Sequence, residues 1–137
     1  MDQWIVVRAE DVQKILAQEP KQGKHLLPWG VLPEGIKLPF NILESVEVSN
    51  IAEVHETEGD YWECLEGEVT FVCGGKLINP RATKSENGKT IEWKGEGIEG
   101  GKEVVLKAGD RLWIPLGVPH THNKPQGSVR LMITKIR

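Results

Sequence analysis

The chain has 137 residues, of which 39% are hydrophobic and 27% charged, and its formal net charge is −3. This length suits one domain with its own hydrophobic core, and the composition excludes a disordered chain. The acidic balance argues against a nucleic-acid partner, which would require a basic patch. The sequence contains neither an apolar run of the roughly 20 residues that a membrane span needs nor a recognisable signal peptide, so we expect a cytoplasmic protein without a membrane partner.

The first 43 residues are predicted to hold a strand, a helix and an arm. Residues 4–7 predict a short first strand, and residues 9–19 carry apolar side chains at helical spacing until Pro20 ends the helix. Residues 23–41 contain three Pro and three Gly among apolar residues, which indicates an irregular but ordered arm. We expect the histidine in this arm, His25, to lie solvated in a loop.

The rest of the chain is predicted to form short strands separated by turns. Fifteen Gly and eight Pro interrupt the sequence at short intervals. About nine strands with a single short helix predict an all-β sandwich or barrel. The predicted strands after the arm lie at 42–55 (one or two strands), 60–65, 69–73, 90–93, 103–107, 111–114, 120–123 and 129–136, and residues 79–89 are predicted to form a loop.

The two cysteines, Cys64 and Cys73, flank a predicted hairpin whose turn lies at 66–68. In that hairpin Cys73 would lie opposite Tyr61 rather than Cys64, so we expect two free thiols and no disulfide. Free thiols are usual in a reducing compartment, which agrees with a cytoplasmic location.

Three of the four histidines lie in two segments, His55 in one and His120 and His122 in the other. Residues two apart on a strand point to the same face, so Glu53 shares a face with His55 and His120 shares one with His122. Asp60 opens the next predicted strand. If the segments are neighbours in a barrel, two imidazoles and one or two carboxylates converge. Two His and one carboxylate with open positions are typical of a catalytic mononuclear metal site.

The segment from Gly109 to Lys124 resembles the second sequence motif of the cupin superfamily. That motif reads Gly, five residues, Pro, one residue, Gly, two residues, His, three residues, Asn. The residues that match it at the right spacing are Gly109, Pro115, Gly117 and His120. Lys124 stands at the final position, with an asparagine next to it.

The first cupin motif is present in a degraded form. The family pattern reads Gly, five residues, His, one residue, His, three or four residues, Glu, six residues, Gly. Counting back from Gly67 puts Asp60 at the Glu position, His55 at the second His position and Glu53 at the first. A rival register puts His55 first and Thr57 second, but it leaves only two residues before Asp60, so we prefer the former register.

The resemblance covers residues 44–136 and implies one jelly-roll cupin barrel, with residues 1–137 forming a single domain. It further implies a metal inside the barrel. Where the family uses three His and one Glu, this chain offers Glu53 in place of one His and the shorter Asp60 in place of Glu. The carried-over ligands are thus His55, Asp60, His120 and Glu53. This mixture suits a divalent transition metal without choosing among Fe, Mn, Ni, Co and Zn.

These observations favour a metal-dependent enzyme acting on a small organic molecule, with dioxygenase, decarboxylase, lyase and isomerase chemistry all open. His122 and Glu53 are the acid–base candidates, and Trp62, His122 and Trp113 are expected to line the substrate pocket.

Two alternatives stand beside the metalloenzyme. One is a non-catalytic sensor or small-molecule-binding cupin. The other is a metal-free acid–base isomerase, in which crowding of Glu53 and Asp60 raises the pKa of one carboxyl group. Open sheet edges and the family resemblance together predict a homodimer.

Overall fold

The computed structural model describes residues 4–25 and 37–137 of the chain. Within these residues one short helix precedes 12 strands, so the prediction of an all-β fold with a single helix is confirmed. The elements are α1 (Ala9–Leu16), β1 (Gly23–His25), β2 (Phe40–Ser49), β3 (Ala52–His55), β4 (Gly59–Glu66), β5 (Glu68–Cys73), β6 (Lys76–Ile78), β7 (Arg81–Glu86), β8 (Lys89–Gly95), β9 (Gly97–Glu99), β10 (Lys102–Lys107), β11 (Arg111–Ile114) and β12 (His120–Ile136). No helix in the described part of the chain is long and apolar enough to cross a membrane.

Strand β12 is the element around which the barrel is built. It spans 17 residues and pairs antiparallel with β3 and β5 near its start and with β2 and β4 further along. Its register against β2 shifts between Lys124 and Ser128, where Gly127 has φ +72°. The two predicted strands 120–123 and 129–136 are therefore one strand with an irregularity, because the Pro-Gln-Gly segment is absorbed as a bulge rather than a turn.

Strands β4 and β5 do not form the predicted hairpin. Among the described strands, β4 pairs with β11 and β12, whereas β5 pairs with β10 and β12. Gly67 lies between them at φ +87°, and a Cβ there would lie 2.8 Å from the backbone oxygen of Ser128. The chain thus crosses close to β12 instead of folding back on itself. Both cysteines are free, as expected, but Cys73 lies opposite His120 rather than Tyr61.

The segment predicted as a loop at 79–89 contains a strand. Residues 81–86 form β7, which pairs with β8 across the turn Asn87-Gly88, where φ is +53° and +76°. All six residues of β7 are exposed, so the alternation that normally reveals a strand is missing from the sequence. The Asn-Gly pair is the signal that would have predicted this hairpin.

The N-terminal segment differs in part from the expectation. Residues 4–7 pair with none of the described strands, and Trp4 is 83% exposed, because strand-forming residues need a partner to make a strand. The predicted arm begins as β1, but its residues 26–36 lie outside the described part of the chain. His25 does not lie free in solvent, since its Nε2 is 3.2 Å from Oε1 of the buried Glu44.

The hydrophobic core fills the barrel along the inward faces of the strands. Alternate residues point inward, as Trp62 does on β4 and Leu131 and Ile133 do on β12. The buried core comprises Trp62, Cys64, Val69, Phe71, Leu106, Ile114, Val129, Leu131 and Ile133. Two residues before Trp62 stands Asp60, and two residues after Ile133 stands Lys135. The candidate site therefore begins where the apolar packing stops.

A buried arginine fastens α1 to the barrel. Arg130 is 2% exposed, and its Nε lies 3.0 Å from Oε2 of Glu44. Its Nη groups donate hydrogen bonds to the backbone carbonyls of Leu16 and Gln18 at the end of the helix. None of the residues of α1, all of which are described, is buried. This polar contact attaches the helix to the barrel, and we call it the Arg130 cluster (Arg130, Glu44 and the two carbonyls).

Candidate metal centre

Four side chains with metal-ligating atoms meet inside the barrel. One ligating atom from each of Glu53, His55, Asp60 and His120 lies within 4.8 Å of the others, and we call these residues the four-donor cluster. Asp60 is 1% and His120 3% exposed, whereas the side chains of His55 and Glu53 are 11% and 29% exposed. The structure therefore brings together all four residues that the sequence suggested as ligands.

Strand pairing explains why distant residues converge. Strand β3 supplies Glu53 and His55, which share a face, and Glu53 is the register partner of His120 on β12. The backbone N–H of Gly117 donates a hydrogen bond of 2.7 Å to the carbonyl of His55. Gly117 has φ +79°, a conformation that favours glycine. The turn of the second motif is thus attached directly to the strand that carries the first.

Each imidazole of the cluster faces both carboxylates. Nε2 of His55 lies 3.3 Å from Glu53 Oε1 and 3.6 Å from Asp60 Oδ2. Nε2 of His120 lies 3.1 Å from Asp60 Oδ2 and 3.7 Å from Glu53 Oε1. Although Asp60 Oδ2 and His120 Nε2 are close and buried, neither has a hydrogen-bond partner of acceptable geometry among the described residues. Buried atoms of this kind are costly unless something between them, such as a cation, satisfies them, so the residues present fit a metal.

Neighbouring groups orient the two imidazoles. Nδ1 of His120 lies 3.0 Å from the carbonyl of Val118, which can only accept a hydrogen bond, so in the neutral ring Nε2 keeps its lone pair. Nδ1 of His55 lies 3.7 Å from Oε1 of Glu92, a buried carboxylate that also accepts a hydrogen bond from Thr83. Contacts of this type hold histidine ligands in the orientation that a metal requires. Spacing along the chain does not predict this role of Glu92, because only the pairing of β3 with β8 puts it opposite His55.

A lysine also reaches the cluster. Nζ of Lys135 lies 2.6 Å from Asp60 Oδ1 and 3.4 Å from His55 Nε2, and Lys135 is the register partner of Asp60. It occupies one oxygen of Asp60 and leaves the other turned toward the imidazoles. Lys135 was not predicted from the sequence either, although Leu131, Ile133 and Lys135 share one strand face and the first two are core residues.

The carboxylates of the cluster are ionised. Burial alone would raise the pKa of Glu53, but the nearby imidazoles of His120 and His55 hold that pKa well below its usual range. Burial opposes ionisation of Asp60 in the same way, yet its contacts with His120 and Lys135 lower its pKa. The expectation that crowding raises the pKa of one carboxyl group is therefore wrong, because the contacts with His55, His120 and Lys135 outweigh burial. Two carboxylates are available to balance a divalent cation.

His120 and His122 have opposite electrostatic environments. Burial would lower the pKa of His120, but Asp60, Glu53 and the Val118 carbonyl raise it to about 9 when no cation is bound. Burial lowers the pKa of His122 to about 4. The ring of His122 lies 4.9 Å from that of Phe71 and 5.3 Å from that of Trp62, and its Nε2 is 3.0 Å from Ser45 Oγ. His122 is thus a neutral polar group in an aromatic wall.

A cavity of about 430 Å³ adjoins the four-donor cluster. Glu53 and His120 lie in its lining, and so do Trp62 and His122, two of the residues suggested for a substrate pocket. The third, Trp113, is not among the described residues that line it. It lies opposite Tyr61 on the outward face, is 49% exposed, and its ring would be 2.2 Å from a Cβ placed on Gly59. Its assignment to the pocket is therefore wrong, because its position on the strand points it away from the interior.

Comparison with known proteins identifies the fold. No protein-family model and no curated protein matches the chain. Hydroquinone 1,2-dioxygenase PnpCD, in complex with Cd²⁺ and 4-hydroxybenzonitrile, superimposes with a TM-score of 0.54 at 16% identity, covering 99% of this chain and 81% of that one. Hydroquinone 1,2-dioxygenase from Sphingomonas sp. TTNP3, with 4-hydroxybenzoate bound, gives a TM-score of 0.50 at 17% identity, covering 75% and 62%.

The Drosophila melanogaster CENP-C cupin domain also matches, with a TM-score of 0.50 at 14% identity, covering 75% of this chain and 64% of that one. The chain thus spans less than two thirds of the length of several structures that it matches, and only 42% in the case of FeII HppE. Likeness at these identities establishes the fold and not the activity. The protein has the cupin fold, as its motifs predicted.

Proposed function

We propose that this cupin is a mononuclear metal-dependent enzyme acting on a small organic molecule. The observation that supports this most strongly is the four-donor cluster, in which two imidazoles and two carboxylates face one another within 4.8 Å. Mixed nitrogen and oxygen ligands suit Fe, Mn, Ni, Co or Zn. One fold neighbour, PnpCD, is described in complex with Cd²⁺.

The residues around the cluster have separable roles in this proposal. When bound, the metal would supply Lewis-acid or redox chemistry at the cavity floor. Glu92 and the Val118 carbonyl hold the two imidazoles in place, and Lys135 fixes the position of Asp60. Trp62 provides an apolar wall against which a substrate packs and from which water is excluded.

Glu53 is a better candidate than His122 for acid–base catalysis. It is ionised, and it is the most exposed member of the four-donor cluster, lining the cavity directly. A carboxylate in this position accepts a proton from a bound substrate when it is within hydrogen-bond reach. His122 is neutral and bonded to Ser45, so we assign it to substrate contact rather than to acid–base catalysis.

Dioxygenation is the reaction to test first, since two of the fold neighbours are hydroquinone 1,2-dioxygenases. Decarboxylase, lyase and isomerase chemistry stay open in this proposal, because one metal site in one fold supports many reactions.

Lys135 favours one alternative function. Its ammonium group contacts both Asp60 and His55, so it compensates part of the negative charge of the cluster without a metal. In that case the cavity would serve a binding module or a metal-free acid–base isomerase. Metal content separates the two functions.

The test begins with elemental analysis after the purified protein has been equilibrated with each of the five metals. We expect stoichiometric metal in the natural chain and at least about 100-fold weaker binding in Asp60→Asn and His120→Gln. Glu63→Gln is the matched control, because Glu63 lies on the same strand as Asp60 but contacts the surface residue Arg111. Oxygen uptake with hydroquinones then tests the first reaction class.

If the protein binds none of the five metals, the metalloenzyme proposal is refuted and the metal-free alternative is left. Stoichiometric metal that is unaffected by the two cluster substitutions would place the metal elsewhere and also refute the proposal.

A homodimer is a further proposal. Strands β1, β7, β10 and β11 each pair on one side only among the described strands, and open edges are commonly covered by another chain. Light scattering should give twice the 15.3 kDa of one chain, and a value of 15.3 kDa would contradict the dimer.

A further inference from the structure

We propose that the substrate of this cavity is a small organic anion, whose charged group is held by Lys24, Lys94 and Lys135. This inference rests on the proposed function, since it names the substrate class of the same site. All three lysines line the cavity of about 430 Å³ next to the four-donor cluster.

The sheet register places each of the three lysines beside a residue of the site. Lys135 lies opposite Asp60, and Lys94 lies opposite Glu53. Lys24 lies opposite Leu43, which itself lines the cavity. Directly opposed residues of an antiparallel pair project from the same face of the sheet. The three lysines lie on β1, β8 and β12, so three separate strands contribute positive charge to the lining of one cavity.

The charges of the lining are unbalanced. Among the described residues that line the cavity, Glu53 is the one carboxylate. Neither Lys24 nor Lys94 forms an ion pair with any described residue, and the contact of Lys135 with Asp60 leaves N–H groups of its ammonium free for another acceptor. A metal bound by Glu53 and Asp60 would neutralise both carboxylates. The cavity would then be positive, although the whole chain has a net charge of −3.

Metal binding by itself does not explain these lysines. An ammonium group near a cation site repels the cation and weakens its binding. The lysines would favour binding if the substrate that lies beside the metal is negatively charged, because a cleft lined by one sign of charge concentrates ions of the other sign. An anion in the cavity would also relieve the repulsion between the lysines and the metal.

The rest of the lining indicates how the anion is shaped. Leu43, Trp62 and Ile133 form an apolar part of the wall. A cavity of about 430 Å³ lies at the small end of the range for ligand pockets. The geometry therefore fits a compact molecule with an apolar body and one carboxylate or comparable anionic group.

The experiment measures binding of a panel of monocarboxylates, from acetate to benzoate, and of their uncharged amides by isothermal titration calorimetry. Titrations use the full chain, with and without Zn²⁺, and compare the natural protein with Lys24→Gln, Lys94→Gln and Lys102→Gln. Lys102 is the matched control, because it is an exposed lysine on β10 that does not line the cavity. Zn²⁺ binding is measured separately on every variant.

We expect at least one carboxylate to bind at least about tenfold more tightly than its amide. Each of Lys24→Gln and Lys94→Gln should lower the affinity for that carboxylate about threefold to tenfold. Lys102→Gln should leave the affinity unchanged, and raising NaCl from about 0.05 M to about 0.5 M should weaken binding. The cavity substitutions should leave Zn²⁺ affinity equal or higher.

The two proposals fail in different ways. Suppose that Zn²⁺ binds. The anion proposal is then overturned, and the metal centre stands, if carboxylates bind no more tightly than their amides or if Lys102→Gln lowers the carboxylate affinity as much as the cavity variants do. If neither Zn²⁺ nor any of the other four metals binds, the proposed function fails. The titrations without Zn²⁺ then test the anion proposal. In them, too, a carboxylate should bind more tightly than its amide, and the cavity variants should bind it more weakly than the control variant does.

Discussion

The barrel contains two buried clusters of ionisable side chains, and the two clusters differ in composition. In the Arg130 cluster one guanidinium meets one buried carboxylate, that of Glu44, and its remaining donors reach helix carbonyls. In the four-donor cluster, two carboxylates and two imidazoles face one another, and Asp60 Oδ2 and His120 Nε2 have no hydrogen-bond partner of acceptable geometry among the described residues. The first group pairs a cation with an anion, although Nε of Arg130 also lacks a hydrogen bond of acceptable geometry, whereas the second combines two carboxylates with two imidazoles.

This difference distinguishes structure from function. A guanidinium paired with a carboxylate needs no ligand, and the contacts of Arg130 attach α1 to the barrel. Two carboxylates and two imidazoles in one place form a ligand set for a metal, so this cluster suggests selection for binding rather than for folding. Substitutions in the first group should change stability and leave metal binding intact, whereas substitutions in the second should weaken metal binding.

The largest effect is expected for Arg130→Met. This change leaves the carboxylate of Glu44 buried without its charged partner and releases α1, so we expect the free energy of unfolding to fall by about 3–5 kcal/mol. Urea unfolding of the metal-free protein measures it. Arg111→Met is the control, since the pair of Arg111 with Glu63 is exposed and should contribute less than about 1 kcal/mol. Equal losses in the two variants would show that the buried pair stabilises the fold no more than an exposed pair does.

The next prediction contrasts two histidines of β12 in the metal-free protein. The pKa of His120 is raised to about 9 from 6.5, so its protonation stabilises the fold below pH 6.5 and this contribution is lost as the pH rises through about 9. The pKa of His122 is lowered from 6.5 to about 4, so its neutral form stabilises the fold above pH 6.5 and this contribution is lost as the pH falls through about 4. Nitrogen-15 NMR titration resolves both rings, and a common midpoint near 6.5 would contradict the contrast.

The smallest of the three effects is expected for Glu92→Gln. Glu92 contacts His55 Nδ1 but contributes no atom to the four-donor cluster, so its loss should weaken metal binding about tenfold while the metal stoichiometry is kept. Calorimetric titration with Zn²⁺ measures the change. Glu86→Gln removes the same charge from an exposed position on the adjacent strand β7 and should have no effect. An unchanged affinity in Glu92→Gln would show that this carboxylate does not orient His55.

Sequence reasoning succeeded for the parts of the site that depend on spacing along the chain. The positions of His55, Asp60 and His120 follow from two motifs, and the alternation of side chains on a strand placed Glu53 beside His55. The same alternation would have placed Lys135 inside the barrel, because it continues the inward series of Leu131 and Ile133.

The parts that depend on which strands pair could not be predicted from spacing. Glu92 reaches His55 because β8 pairs with β3, and Arg130 reaches Glu44 because β12 pairs with β2. Nothing within either strand specifies its partner. For the same reason the sequence suggested a hairpin around Gly67, where the chain instead crosses close to β12.

The most direct test of the central claim is anomalous diffraction from crystals of the protein loaded with Zn²⁺ or Co²⁺. The account predicts one strong peak at coordinating distance from Glu53 Oε1, His55 Nε2, Asp60 Oδ2 and His120 Nε2, and no such peak in Asp60→Asn. A peak at any other group of residues, or none at the four-donor cluster in fully loaded protein, would contradict it.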